Sequence, residues 1–434
     1  MKDKQRLIIE VMKAEIDKAL GCTDPGAVAL AVSRAARELK GEVERVTVTV
    51  SRNIYKNGIS VGVPGTGRSG LKLAAALGCY IEARGEGLDL LDHVTEEVSK
   101  RADALIESGN LSLVCADTPD PLYVKVELFA EEESATAIII SDYTNIAYVS
   151  HNGQTLKQSP VNAADESKDV FMEYPLKELY EAVLEMDKSE LDFLFRCADI
   201  NKEAALSGMK DEKLLLNKQY ASSAGERSGQ PSSVISKAQL MTAAAAEARM
   251  SGLSVPVMAI SGSGNHGITS FLGVQAAAEE LEPGEEVYAR ALAISALVTI
   301  YIKGYVKRMT AFCGCAVAAA TGVAAATVYM LGGSFEQGVL AMQSLIGTLG
   351  GMFCDGAKES CAYKLSTAAA MAIRFAYMAM DGCGLQAGIG ILGNTIEDTF
   401  YNLGQLNNPG MLETDKVIVG LIERTQAQKQ IKKA

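Results

Sequence analysis

Residues 111–153, LSLVCADTPDPLYVKVELFAEEESATAIIISDYTNIAYVSHNG, decide the fold of the first third of the chain. Four short runs rich in β-branched and aromatic residues are separated there by turn residues such as Asp, Asn, Pro and Gly. Strands joined by connections this short can pair only antiparallel. Together with the alternating run VERVTVTVS at 43–51, they predict an antiparallel sheet between residues 40 and 152.

Helical patterns surround these strands. Helices are predicted at 4–20 and 25–38, and SGLKLAAALG at 69–78 predicts a short helix opened by a glycine-rich turn. Residues 1–155 are therefore predicted to form an α+β domain on the substrate side of the protein, and its N-terminal helices are free to pack on the rest of the chain.

The composition changes after residue 155. A polar connection and two amphipathic helices within 174–209 predict a helical connection over residues 156–233. Beyond residue 234 almost every segment is rich in Ala, Met and Gly at helical spacing, and no strand is predicted. Small residues let helix axes approach closely, so residues 234–434 are predicted to be an all-helical domain. The predicted fold class is thus α+β, with a domain of helices and an antiparallel sheet followed by a large all-helical domain.

Composition and charge exclude some classes of protein. The 434 residues carry a net charge of −12 with 3 His, which disfavours nucleic acid as a partner because phosphates need a basic surface. The first twenty residues lack the apolar core of a signal peptide, which predicts a cytoplasmic protein. Two apolar segments, 291–308 and 313–333, are interpreted as buried core helices and not as membrane spans. An apolar surface on so large a helical domain is consistent with a homodimer.

Nine cysteines in a reducing compartment argue against a disulfide framework. Cys354 and Cys361, in GMFCDGAKESCAYK at 351–364, stand among charged and polar residues, which is unusual for buried structural thiols. A thiolate site for zinc or for an iron–sulfur cluster is plausible there, although the spacing matches neither a zinc ribbon nor a ferredoxin. Cys79, Cys115 and Cys197, each alone in an apolar element, are interpreted as core residues.

Two other motifs are candidate sites. AISGSGNHGITSF at 259–271 has glycines that could free backbone N–H groups for an anion, and His266 is capable of proton transfer; the alternative is a tight turn between helices. LGCTDPGAVAL at 20–30 places Cys22 just before a predicted helix, where the helix dipole is expected to lower the pKa of the thiol; the alternative is a simple helix cap.

Four motifs in one order, GCTDPGAVAL, SGSGNHGI, AFCGCAVAAATG and CDGAKESCAYK, resemble the L-cysteine desulfidases, relatives of the iron–sulfur L-serine dehydratases. The resemblance covers essentially the full chain and implies a 4Fe-4S cluster that acts as a Lewis acid with one open iron. It implies Cys354 and Cys361 as ligands, together with Cys313 or, alternatively, Cys315. It also implies that Cys22 is the base that removes the Cα proton of L-cysteine, which gives hydrogen sulfide, ammonia and pyruvate.

A small amino-acid substrate needs partners for its carboxylate and ammonium groups, and the predicted cleft lies between the domains. The candidate partners come from both domains: Ser261, Ser263, Asn265, His266, Asn53, Lys56 and Arg68. One alternative function is that of an iron–sulfur L-serine dehydratase. The other is a non-catalytic iron–sulfur protein, with Cys315 or Cys383 as a fourth ligand, or a zinc-binding protein.

Overall fold

The computed structural model describes residues 2–81, 88, 90–118, 120–159, 166–223 and 233–431. Within these ranges the strands are β1 (Ile16–Leu20), β2 (Arg45–Ser51), β3 (Gly62–Val63), β4 (Arg68–Ser69), β5 (Leu111–Ala116), β6 (Tyr123–Ala130), β7 (Glu133–Ile140), β8 (Ile146–His151), β9 (Gln154–Gln158) and β10 (Pro256–Ile260).

The helices of the N-terminal half are α1 (Lys2–Glu15), α2 (Thr23–Ala36), α3 (Arg52–Gly58), α4 (Leu71–Gly78), α5 (Glu96–Glu107), α6 (Glu166–Glu173), α7 (Leu176–Leu184), α8 (Lys188–Leu191), α9 (Phe193–Lys210) and α10 (Leu216–Ser223). A 3₁₀ turn lies at Leu90–His93. The remaining α-helices are α11 (Val234–Ser251), α12 (Gly264–Leu281), α13 (Glu285–Val306), α14 (Ala320–Met330), α15 (Phe335–Leu349), α16 (Ser360–Met380), α17 (Ile396–Gln405) and α18 (Leu412–Ile431). Two π-helical turns lie at Cys315–Ala319 and Leu406–Gly410.

The predicted sheet is present and has six strands in the order β5-β2-β6-β7-β8-β9. The pairs from β2 through β6 to β9 are antiparallel, as predicted. Strand β5 differs, because it pairs parallel with β2, with Val46 opposite Leu111. The connection between β2 and β5 contains three helices and is long enough for this crossover. Strand β9 extends the sheet beyond the predicted edge.

One face of the sheet packs against helices α2 and α4. Along β6, Val124, Val126, Leu128 and Ala130 are buried in alternation with half-buried neighbours, as a strand with one covered face requires. Val124, Val126 and Leu128 form a hydrophobic core with the buried residues of α2 and α4. The fold class predicted from the sequence is therefore confirmed for the N-terminal part of the chain.

A second hydrophobic core joins the helices after residue 166 with α1. Helices α11, α12, α14 and α16 lie at its centre and pack on one another. Gly322 on α14 illustrates the close approach that small residues permit, because a Cβ atom there would lie 2.3 Å from the backbone oxygen of Ser295. Helix α13 is long and apolar enough to span a membrane, but 78% of its most apolar window is buried inside the protein. That burial agrees with its interpretation as a core helix.

Two predictions about secondary structure are wrong: that the first helix continues to residue 20, and that no strand lies beyond residue 234. The first helix ends at Glu15, not at residue 20, and residues 16–20 form β1. Its partner is β10, a strand in the region where none was predicted, with Ile16 opposite Ile260. Each strand has only five residues, so hydrophobic periodicity does not identify it, and the pairing of the two strands depends on the tertiary fold. The pairing brings the segment after β1 beside the loop after β10.

Candidate active site

A cavity of about 110 Å³ lies between the sheet part and the helical part of the protein. The loop after β1, the start of α12, the segment before α14 and the start of α16 all reach it. Eight of the candidate residues named from the sequence line this cavity: Cys22, Ser263, Asn265, His266, Cys313, Cys315, Cys354 and Cys361. Residues separated by more than 300 positions in the sequence therefore share one small space.

Backbone pairing brings two of the cysteines together. The N–H of Cys313 donates to the carbonyl of Met352 at 2.6 Å, and the N–H of Cys354 donates to the carbonyl of Ala311 at 2.7 Å. Phe312 and Phe353 lie opposite each other between these two hydrogen bonds and form an antiparallel β-bridge. Side chains alternate across such a pair, so Cys313 and Cys354, each next to a bridged residue, project to the same face.

Cys361 comes from the first turn of α16 and completes the group. Its Sγ lies 3.6 Å from the carbonyl oxygen of Gly356. Gly356 has a φ of +99°, and a Cβ atom there would lie 2.1 Å from the carbonyl oxygen of Lys56. Glycine is therefore required where the loop between the two cysteines crosses α3. All nine cysteines of the chain are free of disulfides.

The surroundings of the thiols differ. A hydrogen bond from Cys315 lowers the pKa of Cys313 to about 7, whereas burial raises the pKa of Cys361 to about 12. The hydrogen bond with Cys313 and burial raise the pKa of Cys315 well above its usual value. Cys313 and Cys315 therefore titrate as one hydrogen-bonded pair, and a thiolate is the form that binds iron.

The described residues contain no group of three His, Cys, Asp or Glu side chains converging on a single metal-ion position. A 4Fe-4S cluster is larger than one ion and takes one thiolate at each ligated iron. Cys313, Cys354 and Cys361, spread around one cavity, fit a cluster better than a zinc ion. Cys383 is exposed at the surface and is absent from the cavity lining, so it is no candidate for a fourth ligand.

Cys22 faces these cysteines at the N-cap of α2. Its thiol donates a hydrogen bond to Asp24 Oδ2 at 3.2 Å. Burial and the charge of Asp24 raise the pKa of Cys22 well above its usual value, while the charge of Arg249 acts in the opposite direction. The expectation that the helix dipole would lower this pKa is therefore wrong for the protein as folded, because complete burial outweighs the dipole. Burial also raises the pKa of Asp24 to about 6.

His266 is held in one tautomer. Its Nδ1 lies 3.2 Å from the carbonyl oxygen of Ile260, which can only accept a hydrogen bond, so Nδ1 carries the hydrogen. The other nitrogen, Nε2, lies against Gly314, where an added Cβ atom would come within 2.4 Å. Burial lowers the pKa of His266 to about 3, so the ring is neutral at pH 7 with an acceptor nitrogen beside the FCGC segment.

The three glycines of the predicted anion-binding loop have different surroundings. The N–H of Gly267 donates to the carbonyl of Ser263 within the first turn of α12. Gly262 and Gly264 instead make room for arginine side chains, because added Cβ atoms would lie 2.8 Å from Arg308 Nη1 and 2.7 Å from Arg249 Nε. Ser261 is buried beside the loop, its N–H donates to the carbonyl of Glu15, and it is absent from the cavity lining.

The three candidates from the sheet part lie away from the cavity. Lys56 is buried in an ion pair with Asp415 at 2.5 Å, and Asn53 donates to the same carboxylate at 3.3 Å. Arg68 is exposed and pairs with Asp103. None of the three lines the cavity.

Sequence reasoning missed other residues that line the cavity: Asp24, Asn57, Tyr143, Arg249 and Arg308. Arg249 had a usable signal, since it is a lone basic residue in the alanine-rich run MTAAAAEARMSG at 241–252. Asn57 donates a hydrogen bond to Asp24 Oδ1 at 3.4 Å, so the carboxylate next to Cys22 has partners on both oxygens.

Comparison with known proteins agrees with a serine dehydratase-like fold. A family model described as serine dehydratase alpha chain matches residues 85–420. A UPF0597 protein of Methanocella arvoryzae is 48% identical over 422 residues, which cover 96% of this chain and 98% of the relative. UPF0597 proteins of Clostridioides difficile and Caldanaerobacter subterraneus are 38% and 36% identical, over 95% and 97% of this chain and 98% and 99% of their own lengths.

The fold and the class defined by this match are those of a lyase-type enzyme with a serine dehydratase-like architecture. The chain belongs to the serine dehydratase alpha chain family, a family associated with iron–sulfur enzymes, and the resemblance carried by the four sequence motifs is confirmed. The names of the UPF0597 relatives state no substrate.

Proposed function

We propose that this protein is a cytoplasmic L-cysteine desulfidase that converts L-cysteine to hydrogen sulfide, ammonia and pyruvate without pyridoxal phosphate. The observation that carries the proposal is the position of Cys22, which lines the same small cavity as Cys313, Cys354 and Cys361. A thiol paired with a carboxylate suits proton transfer, and three further thiols suit the binding of a cluster.

The cofactor in this proposal is a 4Fe-4S cluster held by Cys313, Cys354 and Cys361. Its one iron without a protein ligand would supply Lewis-acid chemistry at the leaving group. Three features support this ligand set: a common cavity, the paired backbones of Cys313 and Cys354, and the lowered pKa of Cys313. A reducing cytoplasm would keep these thiols free.

Cys22 acts as the base in this mechanism. Its hydrogen bond to Asp24 gives the thiol proton a route to the carboxylate, and the resulting thiolate removes the Cα proton of the substrate. The electron pair of the Cα–H bond forms the Cα=Cβ double bond, and the Cβ–S bond breaks with its electron pair leaving on sulfur. The sulfide is protonated, and the released aminoacrylate tautomerises and is hydrolysed by water to pyruvate and ammonia.

Ser263, Asn265 and His266 are the proposed substrate contacts from the predicted set. They stand at the first turn of α12, where His266 offers a neutral acceptor nitrogen and Asn265 offers amide groups. These side chains line the same cavity as Cys22 and the proposed cluster ligands.

L-Serine is the second candidate substrate, because the matching family model is that of a serine dehydratase chain. The elimination is the same, with hydroxide leaving in place of sulfide. Cys22 at the position of the base is the residue that favours the thiol substrate in our proposal.

Anaerobic purification and analysis of iron, acid-labile sulfide and pyruvate release test the proposal. We expect about four iron and four sulfide per chain, a visible spectrum changed by L-cysteine, and faster turnover of L-cysteine than of L-serine. A higher kcat/KM for L-serine would make the enzyme a serine dehydratase. A full cluster without turnover of either would favour a non-catalytic protein, and zinc or no metal after reconstitution would overturn the cluster.

A further inference from the structure

Arg249 is a buried cation with no carboxylate partner in the part of the chain that the structure describes. It lies near the end of α11, is 3% exposed and lines the cavity that contains Cys22 and the three proposed cluster ligands. Nη1 donates to Asn265 Oδ1 at 2.9 Å, while Nε is buried without a hydrogen-bond partner. Among the described side chains, no Asp or Glu oxygen lies within 4.0 Å of its guanidinium group.

Such an arrangement is costly unless a ligand completes it. A guanidinium removed from water is normally paired with an anion, and the neutral amide oxygen of Asn265 does not compensate its charge. The planar fork of arginine also matches a carboxylate through two parallel hydrogen bonds. An anion entering the cavity therefore finds one positive side chain whose donors are not fully used.

The other arginine of the cavity is already paired. Arg308 Nη2 lies 2.9 Å from Asp142 Oδ2 and 3.7 Å from Glu15 Oε1, and its side chain is 31% exposed. Arg249 thus differs from Arg308 in both burial and pairing, which makes it the cation available to a ligand in this part of the described chain.

The glycine loop positions this group. A Cβ atom on residue 264 would lie 2.7 Å from Arg249 Nε and 2.8 Å from its Cζ, so the guanidinium lies close against the first residue of α12. Asn265, the next residue, holds Nη1. Both the orientation and the close approach of Arg249 are therefore set by the SGSGNHG segment.

We infer that Arg249 binds the α-carboxylate of the amino-acid substrate and makes a free carboxylate a requirement for binding. The inference rests on the proposed function and extends it from the reaction to the selection of substrate. Small amino acids with a free carboxylate are accepted, whereas the matching amide L-cysteinamide and the decarboxylated analogue cysteamine are rejected.

The test compares the wild type with Arg249→Gln and Arg249→Lys, each with its cluster quantified. In Arg249→Gln we expect KM for L-cysteine to rise about 10- to 100-fold, because hydrogen bonds to a charged group are lost. The preference for L-cysteine over L-cysteinamide should fall by a similar factor. Arg249→Lys keeps the positive charge but lacks the planar guanidinium. It should recover part of the affinity for L-cysteine and part of the preference over L-cysteinamide. Arg374→Gln, an exposed arginine on α16, is the matched control and should keep the wild-type constants.

Equilibrium binding gives a second readout that does not depend on turnover. Calorimetric titration with 3-mercaptopropionate, which has a carboxylate and no amine, should show weaker binding to Arg249→Gln than to the wild type, while cysteamine should not distinguish them. If the wild type turns over neither L-cysteine nor L-serine, the proposed function fails, and this titration still decides the role of Arg249.

Two results would overturn the inference. One is an Arg249→Gln protein with normal iron content, unchanged KM and unchanged discrimination against L-cysteinamide. The other is a wild type that binds 3-mercaptopropionate no better than Arg249→Gln does. If Arg249→Gln fails to fold or to hold the cluster, Arg249→Lys takes its place, and wild-type discrimination in that variant counts against the inference.

Discussion

Lys56 Nζ donates a hydrogen bond to Asp415 Oδ1 at 2.5 Å, and the side chain of Lys56 is almost completely buried. The pair joins α3, next to the sheet, to the C-terminal helix α18. The backbone of the same lysine contacts Gly356 in the loop between Cys354 and Cys361. A residue predicted to bind substrate thus connects three distant segments of the chain.

Breaking this ion pair should destabilise the fold. Lys56→Met leaves the carboxylate of Asp415 largely buried and unpaired, which typically costs about 3 to 5 kcal/mol. The midpoint of thermal unfolding should fall clearly, and the double variant Lys56→Met with Asp415→Leu should recover much of the loss. Lys72→Met, at an exposed lysine of α4, is the control. A raised KM with unchanged unfolding in Lys56→Met would instead favour a substrate contact.

Removing a proposed cluster ligand should remove the cluster. Cys354→Ser is expected to lose iron and labile sulfide together with lyase activity, because serine is a poor replacement for a thiolate at iron. Metal analysis and the visible spectrum measure the loss. Cys383→Ser, at an exposed cysteine away from the cavity, should keep both. Full iron content in Cys354→Ser would refute the ligand assignment.

Removing the proposed base, Cys22, should lower turnover without removing the cluster. Cys22→Ala should lower kcat by about 10²- to 10⁴-fold, the usual contribution of a positioned acid or base, while iron content and spectrum stay normal. Steady-state kinetics of sulfide release with the iron content measured on the same sample make the comparison. Wild-type turnover in Cys22→Ala would show that another group removes the proton.

The carboxylate beside Cys22 should appear in the pH profile. Burial raises the pKa of Asp24 to about 6 from its ordinary value near 4, and only the ionised carboxylate can accept the thiol proton. The kcat/KM of the wild type should therefore be constant above about pH 6 and fall tenfold for each lower pH unit. Asp24→Asn should have a lower kcat/KM, and its pH profile should lack the decrease below about pH 6. A wild-type profile flat from pH 5 to 7 would contradict the role of Asp24.

The loop between the ligands should not tolerate a side chain at Gly356. Gly356 has a φ of +99° and only 2.1 Å between an added Cβ atom and the oxygen of Lys56, so Gly356→Ala should displace the loop and lower iron content. Gly351→Ala, where an added Cβ atom has no neighbour within 4 Å, is the control. Equal iron content in the two variants would mean that the loop adapts.

The sequence was informative where chemistry is carried by short motifs. The motifs around Cys22, His266, Cys313 and Cys354 each contribute to one cavity, and strand alternation identified most of the sheet. Arg249 was missed because a single arginine in a buried helix has no periodic signature. Asn53, Lys56 and Arg68 are polar residues of the sheet part, and such residues more often pair with other side chains or face solvent.

The pairing of Ile16 with Ile260 also has a consequence for biosynthesis. A nascent chain emerging from the ribosome carries β1 and Cys22 long before β10 exists, and Cys361 follows only after another hundred residues. Contacts so distant in sequence form late and slowly. The cavity is therefore complete only after residue 361 has been translated, so a nascent chain that ends before it would contain the proposed base without all of the proposed cluster ligands.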